Sequence, residues 1–89
     1  MSTQPKIDLT TFFLSVSSAA YLSLGFDEHG GQPDLKRVDL DMARQNIDLL
    51  ELMKEKTQGN RSAEEERLLS HLLMEIQLRY VETEKKVNA

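Results

Sequence analysis

Cysteine and tryptophan are absent from this 89-residue chain, and its aromatic residues are limited to two tyrosines and three phenylalanines. Without cysteine, disulfides, thiol nucleophiles and sulfur-ligated zinc or iron–sulfur sites are excluded. So few aromatic rings count against a platform on which nucleic-acid bases stack. The formal charge of −4 and the scattered basic residues also oppose binding to nucleic acid and to anionic lipid. The composition therefore favours an acidic, helix-forming domain.

Charge is also missing from one continuous stretch, Leu9 to Phe26, whereas the rest of the chain is rich in charged residues. A helix over this stretch has apolar or small side chains on nearly every face, and such a helix has to be buried by something. A chain of this length has only a modest core of its own. We therefore expect a second copy of the chain to cover this helix.

A membrane span and a signal peptide are two other interpretations of this stretch. Its length is close to the roughly 20 residues of a membrane span, but serines and threonines interrupt it and no basic cluster follows it. Lys6 before the stretch and the small residues at 18–20 within it resemble a signal peptide. Asp8 counts against export because it stands where the apolar run begins. The sequence therefore favours a buried helix in a cytoplasmic protein.

Apolar spacing and helix start and stop signals predict an all-α fold in a single domain over residues 1–89. The predicted segments are a first helix at about 8–25, a loop at 26–38, a second helix at about 39–58 and a third helix at about 62–85. Asp8 is the predicted N-cap of the first helix, and Gly25 ends it. Ser62 and Glu65 form a capping box at the start of the third helix. The short turn between the second and third helices predicts an antiparallel hairpin.

Each predicted helix carries an apolar face, and two of the helices carry more apolar surface than one packing contact covers. The main apolar face of the first helix consists of Leu9, Phe12, Phe13, Val16, Ala20 and Leu24. That of the second helix consists of Met42, Ala43, Ile47, Leu49, Leu50 and Met53. The third helix has a broad face of Leu68, Leu69, Leu72, Leu73, Ile76 and Tyr80 and a narrower stripe of Met74, Leu78 and Val81. One face of the third helix closes the hairpin, so the spare stripe needs another cover.

Small residues make up much of the reverse side of the first helix. Ser15, Ala19 and Ser23 recur at every fourth position, and small side chains at this interval let two helix backbones approach closely. For any single serine, exposure to water is a sufficient explanation. The absence of lysine and glutamate from the whole stretch nevertheless favours a packed surface.

Asn46 lies among the apolar residues of the second helix. A buried asparagine in a coiled coil sets register and oligomeric state at a cost in stability, so we expect Asn46 to lie near a symmetry axis. The alternative is that its side chain bonds a nearby backbone carbonyl or sits at a solvated rim. The residues expected at the oligomer interface are Phe12, Ser15, Ala19, Leu22, Asn46, Met74, Leu78 and Val81.

Residues that could support catalysis or metal binding are few. His71 and Glu75 stand four positions apart, a spacing that can ligate a metal, but no second pair accompanies them. His29 lies in the acidic loop 27–34 beside two glycines, where a polar turn is favoured over a weak metal site. The chain has neither a nucleophile elbow nor a phosphate-binding glycine loop. We therefore expect no enzyme activity, no cofactor and no bound metal.

Two segments carry a resemblance to a known family of short bacterial proteins. They are TFFLSVSSAAYLSLG in the uncharged stretch and LDMARQNIDLLELMKEKTQGNRSAEEERLLSHLLMEIQLRYVE after the loop. Together they resemble, over nearly the whole chain, the family catalogued as domain of unknown function 1844. The resemblance implies a soluble bacterial helical protein, and it weakens the signal-peptide interpretation because the first helix resembles part of the family domain. Because the family has no established activity, the resemblance brings no catalytic residues.

The favoured hypothesis is a non-catalytic homo-oligomer, a dimer or a tetramer built as a dimer of dimers, that serves as a protein–protein interaction module. It is motivated by the surplus apolar surface on the first and third helices. One alternative is an adaptor whose first helix docks on an unidentified protein partner and leaves the hairpin as the folded core. Another is attachment of the first helix to a membrane surface, which the acidic charge disfavours.

Overall fold

The computed structural model describes residues 8–27 and 31–89 of the chain. These residues form an all-α fold of three helices, which confirms the predicted fold class. The helices are α1 at Leu9–Ser23, α2 at Leu40–Lys56 and α3 at Ala63–Val87. A single turn of 3-10 helix at Leu35–Arg37 adds structure within the predicted loop 26–38. Among the residues described, every helix is too short or too polar to cross a bilayer.

Polar side chains cap the N-termini of all three helices in the described part of the chain. Asp8 accepts a hydrogen bond of 2.8 Å from the backbone N–H of Thr11, and this bond lowers the pKa of the Asp8 carboxyl. Asp39 caps α2 in the same way, at 3.0 Å. Ser62 and Glu65 form the predicted capping box, with bonds of 3.1 and 2.7 Å. Each cap satisfies an N–H that has no partner within its helix, and so helps to set where that helix begins.

The core lies where α1 packs on the hairpin of α2 and α3, and α1 contacts α2 more extensively than α3. Its buried members are Phe13, Val16, Ala20, Ile47, Leu50, Leu69, Leu72, Leu73 and Ile76. Most of the main apolar face of α1 is therefore covered by the chain itself, with Phe13 and Ala20 fully buried and Leu9 and Phe12 partly buried. The expectation that a second copy has to shelter α1 is wrong for this face, because the hairpin provides two helices for α1 to pack against.

The covered face of α2 is narrower than predicted. Met42 and Leu49, which the apolar spacing assigns to this face, are 47% and 43% exposed. Asn46 bonds a side chain of α1, and Glu51 bonds a side chain of α3. Viewed down the axis of α2, α1 and α3 thus cover the arc of its circumference that runs from Asn46 to Glu51. Met42 and Leu49 lie beyond the Asn46 end of that arc and remain half exposed.

Gly25 determines how the chain leaves α1. Its φ of +92° is the left-handed conformation that favours glycine. The loop folds back against it, since the N–H of Asp34 donates to the Gly25 carbonyl at 2.9 Å and the N–H of Asp39 donates to the Ser23 carbonyl at 2.7 Å. A Cβ at Gly25 would lie 2.5 Å from the carbonyl oxygen of Asp34. A glycine is therefore needed at this close approach, which sets the start of α2 beside the end of α1.

Arg61 holds the turn between α2 and α3. Its side chain is only 7% exposed. The guanidinium donates to the Lys54 carbonyl at 2.6 Å, to Thr57 Oγ1 at 2.9 Å and to Glu66 Oε2 at 2.5 Å. One side chain therefore joins the end of α2 to the first turn of α3, a use that suits the several donors of arginine. The hydrogen bond from Arg61 also lowers the pKa of the Glu66 carboxyl.

Candidate interaction surfaces

Titratable side chains do not form a metal centre in the described residues, which contain no group of three or more His, Asp or Glu placed to hold an ion. His71 is exposed on α3, and Glu75 forms an ion pair with Arg79 at 3.0 Å. His29, the other candidate ligand, lies outside the described residues. The candidate site is therefore defined by apolar side chains that the core leaves exposed.

Two open grooves lie beside α3. The first, between α3 and the end of α1, is lined by Tyr21, Phe26, Glu75 and Arg79 among others. The rings of Tyr21 and Phe26 pack edge to face with centres 5.7 Å apart. Burial raises the pKa of the Tyr21 hydroxyl, and the nearby Glu75 carboxylate adds to the shift. The second groove, between α2 and α3, is lined mostly by polar and charged side chains. Both grooves open to solvent. In the first, Arg79 pairs with Glu75 and Glu82 within α3, and in the second, Arg61 pairs with Glu66.

Exposed apolar residues form a first surface, named here the α1–α2 surface, on the outer sides of α1 and α2. Leu22 lies at its edge, since it also lines the groove between α1 and α3. The hydrogen bond from the N–H of Asp39 to the Ser23 carbonyl joins the start of α2 to the end of α1. The members of this surface are Phe12, Ser15, Ala19 and Leu22 on α1 and Met42, Gln45, Asn46, Leu49 and Leu52 on α2. Its four large aliphatic side chains, Leu22, Met42, Leu49 and Leu52, are 43–47% exposed.

Hydrogen bonds within one chain join α1 to α2 at the centre of the α1–α2 surface. Asn46 is 8% exposed and donates from Nδ2 to Ser23 Oγ at 3.3 Å. Ser23 Oγ donates in turn to the Ala19 carbonyl at 2.8 Å. The hydrogen-bond partner of the Asn46 side chain therefore lies in the same chain, and no symmetry axis is needed to explain why this side chain is buried. Ala19 and Ser23 lie beside this bond, so part of the predicted small-residue stripe serves packing within the chain.

The α1–α2 surface carries no charged side chain among its members. α1 has no charged residue from Leu9 to Ser23, and the exposed row of α2 that begins at Met42 is uncharged as far as Lys56. Lys56 ends this row and Asp48 flanks Leu52. Arg44 lies on another side of α2, where its guanidinium is 4.9 Å from the ring centre of Tyr80 on α3. This surface therefore differs from the rest of a chain in which 29% of residues are charged.

A second apolar surface, named here the α3 ridge, runs along the outside of α3. Its members are Met74, Leu78 and Val81, which are 66%, 53% and 44% exposed. They recur at intervals of four and three residues, so they form one row on the helix. The fully buried Ile76 lies on the opposite side of α3. The ridge therefore lies on the outer side of α3, and its member Met74 also lines the groove between α2 and α3.

The residues predicted for the oligomer interface fall on two surfaces that face in different directions. Phe12, Ser15, Ala19, Leu22 and Asn46 belong to the α1–α2 surface, and Met74, Leu78 and Val81 belong to the α3 ridge. Helical periodicity assigns residues to the faces of single helices, but only the packing of the helices shows that these faces do not join. The periodic analysis also missed Leu52 on the α1–α2 surface, although its spacing of three from Leu49 is a signal that could have identified it.

A known family profile matches a range of the chain that includes the residues of both surfaces. The family profile described as "Domain of unknown function (DUF1844)" matches residues 6–82, which include α1, α2 and the whole of the α3 ridge. No curated protein and no solved structure matches the chain. Both segments that carry the resemblance in the sequence lie inside the matched range. The chain therefore belongs to the domain of unknown function 1844 family.

Proposed function

We propose that the protein is a non-catalytic interaction module that associates with a second copy of itself through the α1–α2 surface. The observation that carries this proposal is an exposed, uncharged apolar surface, two helices wide, that remains after the chain has completed its own core. Soluble monomers rarely expose contiguous apolar patches larger than a few hundred Å², and patches larger than this mark protein–protein contacts. The proposal includes no catalytic step, no cofactor and a cytoplasmic location.

A second copy of the chain fits this surface better than a charged partner does. Most closed dimers have two-fold symmetry, in which the same surface of both copies meets. In a chain with a formal charge of −4, self-contact through a charged surface would bring like charges together, and burying an unpaired charge is unfavourable. The uncharged α1–α2 surface avoids both penalties.

The free energy expected for this contact is that of a reversible association. Covering the exposed part of the four large aliphatic side chains contributes roughly 1 kcal/mol per side chain, and a two-fold contact contains each of them twice. Half-buried Phe12 adds to this contribution, and the small side chains of Ser15 and Ala19 permit a close approach. The loss of translational and rotational freedom opposes the gain. We therefore expect an assembly that dissociates on dilution.

Sedimentation equilibrium of the full chain at micromolar concentration tests the proposal with a matched pair of variants. Leu49→Lys introduces a charge into the α1–α2 surface, and Gln58→Lys introduces the same charge at an exposed position in the turn after α2. We expect the wild type and Gln58→Lys to have the mass of a dimer or a larger assembly, and Leu49→Lys to have a lower mass. Circular dichroism should show equal helix content in all three proteins.

Two results would contradict the proposal. A wild-type mass equal to that of one chain would overturn self-association, and the adaptor hypothesis, in which an unidentified protein covers the same surface, would then be favoured. Equal masses for Leu49→Lys and the wild type would mean that the α1–α2 surface is not at the contact.

A further inference from the structure

The groove between α3 and the end of α1 has the size and the mixed lining of a small-molecule site. Its volume is about 820 Å³, within the range of roughly 300–1,000 Å³ that ligand pockets occupy. We propose that it binds a small organic amine, with the apolar body of the amine against Tyr21 and Phe26 and its ammonium group beside Thr83 and Glu82. Thr83 and Glu82 are not members of the α1–α2 surface, so this site does not depend on the proposed self-association.

An unpaired hydroxyl in the wall of the groove is the observation that points to a ligand. Thr83 lines the groove and is only 2% exposed, yet its hydroxyl makes no hydrogen bond within the part of the chain that the structure describes. No polar side-chain atom sealed in the core of the described residues lacks a partner, so the Thr83 hydroxyl opens to the groove.

Other hydroxyls of the helices are bonded differently. Ser17, Ser23 and Thr57 each donate to a backbone carbonyl about one turn earlier in the chain, at 2.9, 2.8 and 2.6 Å, as hydroxyls in helices commonly do. A polar group that is largely removed from water and left unpaired lowers stability. A ligand that bonds the Thr83 hydroxyl therefore gains an interaction that the fold does not use.

Charges along the α3 wall favour a cation. The guanidinium of Arg79 lies between two carboxylates, that of Glu75 at 3.0 Å and that of Glu82 at 3.1 Å, so these three side chains carry one net negative charge. Lys86 also lines the groove, but it makes no ion pair with the described residues. It lies in the last turn of α3, where a positive charge offsets the negative end of the helix dipole.

The opposite wall comes from the last turn of α1 and the residues after it. This turn contains no basic residue, so the negative end of the α1 dipole is not offset there, which also favours a cation. The edge-to-face pair of Tyr21 and Phe26 is partly exposed and can pack against the apolar part of a ligand, and aromatic rings also attract organic cations. Burial and then the Glu75 carboxylate raise the pKa of the Tyr21 hydroxyl, so the two walls act on the same space.

Two related classes of ligand lack part of this match. A carboxylate on the same apolar body would lie near Glu82, and like charges at close range repel. An alcohol can bond the Thr83 hydroxyl and pack on Tyr21, but it leaves the net negative charge beside Arg79 without a partner. We therefore expect the groove to bind an amine most tightly, then the alcohol, and the carboxylate least.

Three probes that share a phenyl ring test this order: phenethylamine, phenethyl alcohol and hydrocinnamate. Titration of the full, isotope-labelled chain at neutral pH, followed by two-dimensional NMR, measures both the affinity and the place of binding. We expect saturable shifts at residues of the groove, with the amine bound about three- to fivefold more tightly than the alcohol. Equal affinity for the amine and the carboxylate, shifts centred outside the groove, or no saturable shift would overturn the proposal.

Two variants then test the residues assigned to the ammonium group. Thr83→Val removes the hydroxyl, and we expect the affinity for phenethylamine to fall about three- to tenfold without a loss of stability in urea unfolding. Glu82→Gln should weaken the amine about three- to fivefold and leave the alcohol unchanged. The same change at the exposed Glu64, in the first turn of α3, is the control and should leave both affinities unchanged.

The outcomes that contradict the site are distinct from those that contradict self-association. Unchanged affinity for the amine in Thr83→Val or in Glu82→Gln would overturn the proposed position of the ammonium group. A loss of stability in Thr83→Val would show that its hydroxyl serves the fold, which would also overturn the proposal. None of these variants alters the α1–α2 surface, so the mass of the assembly remains a separate test of the proposed function.

Discussion

The inner and outer sides of the helices carry the same kinds of residue in different surroundings. Phe13 on the inner side of α1 is fully buried, whereas Leu22 on its outer side is 46% exposed. The hairpin of α2 and α3 covers the first residue and leaves the second half open to solvent. The apolar residues of this chain thus divide between folding and association, and their identity alone does not tell the two groups apart. Substitutions on the inner side should lower the free energy of unfolding, and those on the outer side should change the mass of the assembly.

The largest effect on stability is expected for Phe13→Ala, for which Leu22→Ala is the comparison. Removing the buried ring leaves a cavity in the core, so Phe13→Ala should lower the free energy of unfolding by about 3–5 kcal/mol. Leu22→Ala should lower it by less than about 1 kcal/mol but should weaken self-association. Urea unfolding of dilute protein measures the first quantity and sedimentation equilibrium the second. Equal losses of stability in the two variants would remove the distinction between the sides of α1.

A second pair of variants, Gly25→Ala and Gly59→Ala, compares a glycine packed closely against another backbone segment with a glycine in an open turn. Both glycines have positive φ, +92° and +83°, and each variant should lose about 1–2 kcal/mol from the left-handed conformation. Gly25→Ala should lose more, because its Cβ would meet the Asp34 carbonyl at 2.5 Å, whereas a Cβ at Gly59 meets nothing within 4 Å. Thermal or urea unfolding provides the measurement. A loss at Gly59 equal to that at Gly25 would contradict the close approach of the loop.

Asn46→Leu tests a residue at the boundary between the buried inner side and the exposed outer side of α2. The variant removes the bond to Ser23, but Ser23 keeps its bond to the Ala19 carbonyl. We therefore expect the free energy of unfolding to change by less than about 1 kcal/mol and the mass of the assembly to stay the same. Urea unfolding and sedimentation equilibrium check the two expectations. A changed mass would restore the hypothesis that Asn46 lies at a symmetry axis and sets the oligomeric state.

The smallest effect concerns the ion pair at the turn between α2 and α3. Arg61 lowers the pKa of Glu66 in the folded chain from the ordinary value of 4.5. The stability from this contact is therefore fully present above the unfolded-state pKa and is lost as the pH falls through the lowered folded-state pKa. Glu66→Gln should reduce the loss of stability in acid, which urea unfolding at a series of pH values measures. An unchanged pH dependence would mean that the pair contributes nothing measurable.

Local signals explain why the helices could be predicted from the sequence. A cap acts over three residues, so Asp8, Ser62 and Glu65 mark the starts of helices without reference to the rest of the fold. The main face of α1 was also predictable, because the periodic apolar residues Phe13 and Ala20 are those that the core buries. These features depend on the order of residues along one helix.

Features that depend on how the helices meet could not be predicted in the same way. The exposure of Met42 and Leu49 follows from the directions in which α1 and α3 approach α2, and periodicity does not specify those directions. The partner of Asn46 is a serine 23 residues away in the chain. Arg61 was missed because its acceptors on α2 come within reach only after the chain reverses at the turn. The division of the predicted interface between two surfaces has the same cause.

Sedimentation equilibrium of the unmodified chain over a range of micromolar concentrations is the most direct test of the proposal that the chain associates with a second copy of itself. We expect the mass of a dimer or a larger assembly that falls toward that of a single chain as the protein is diluted. The mass of a single chain at every concentration would contradict it.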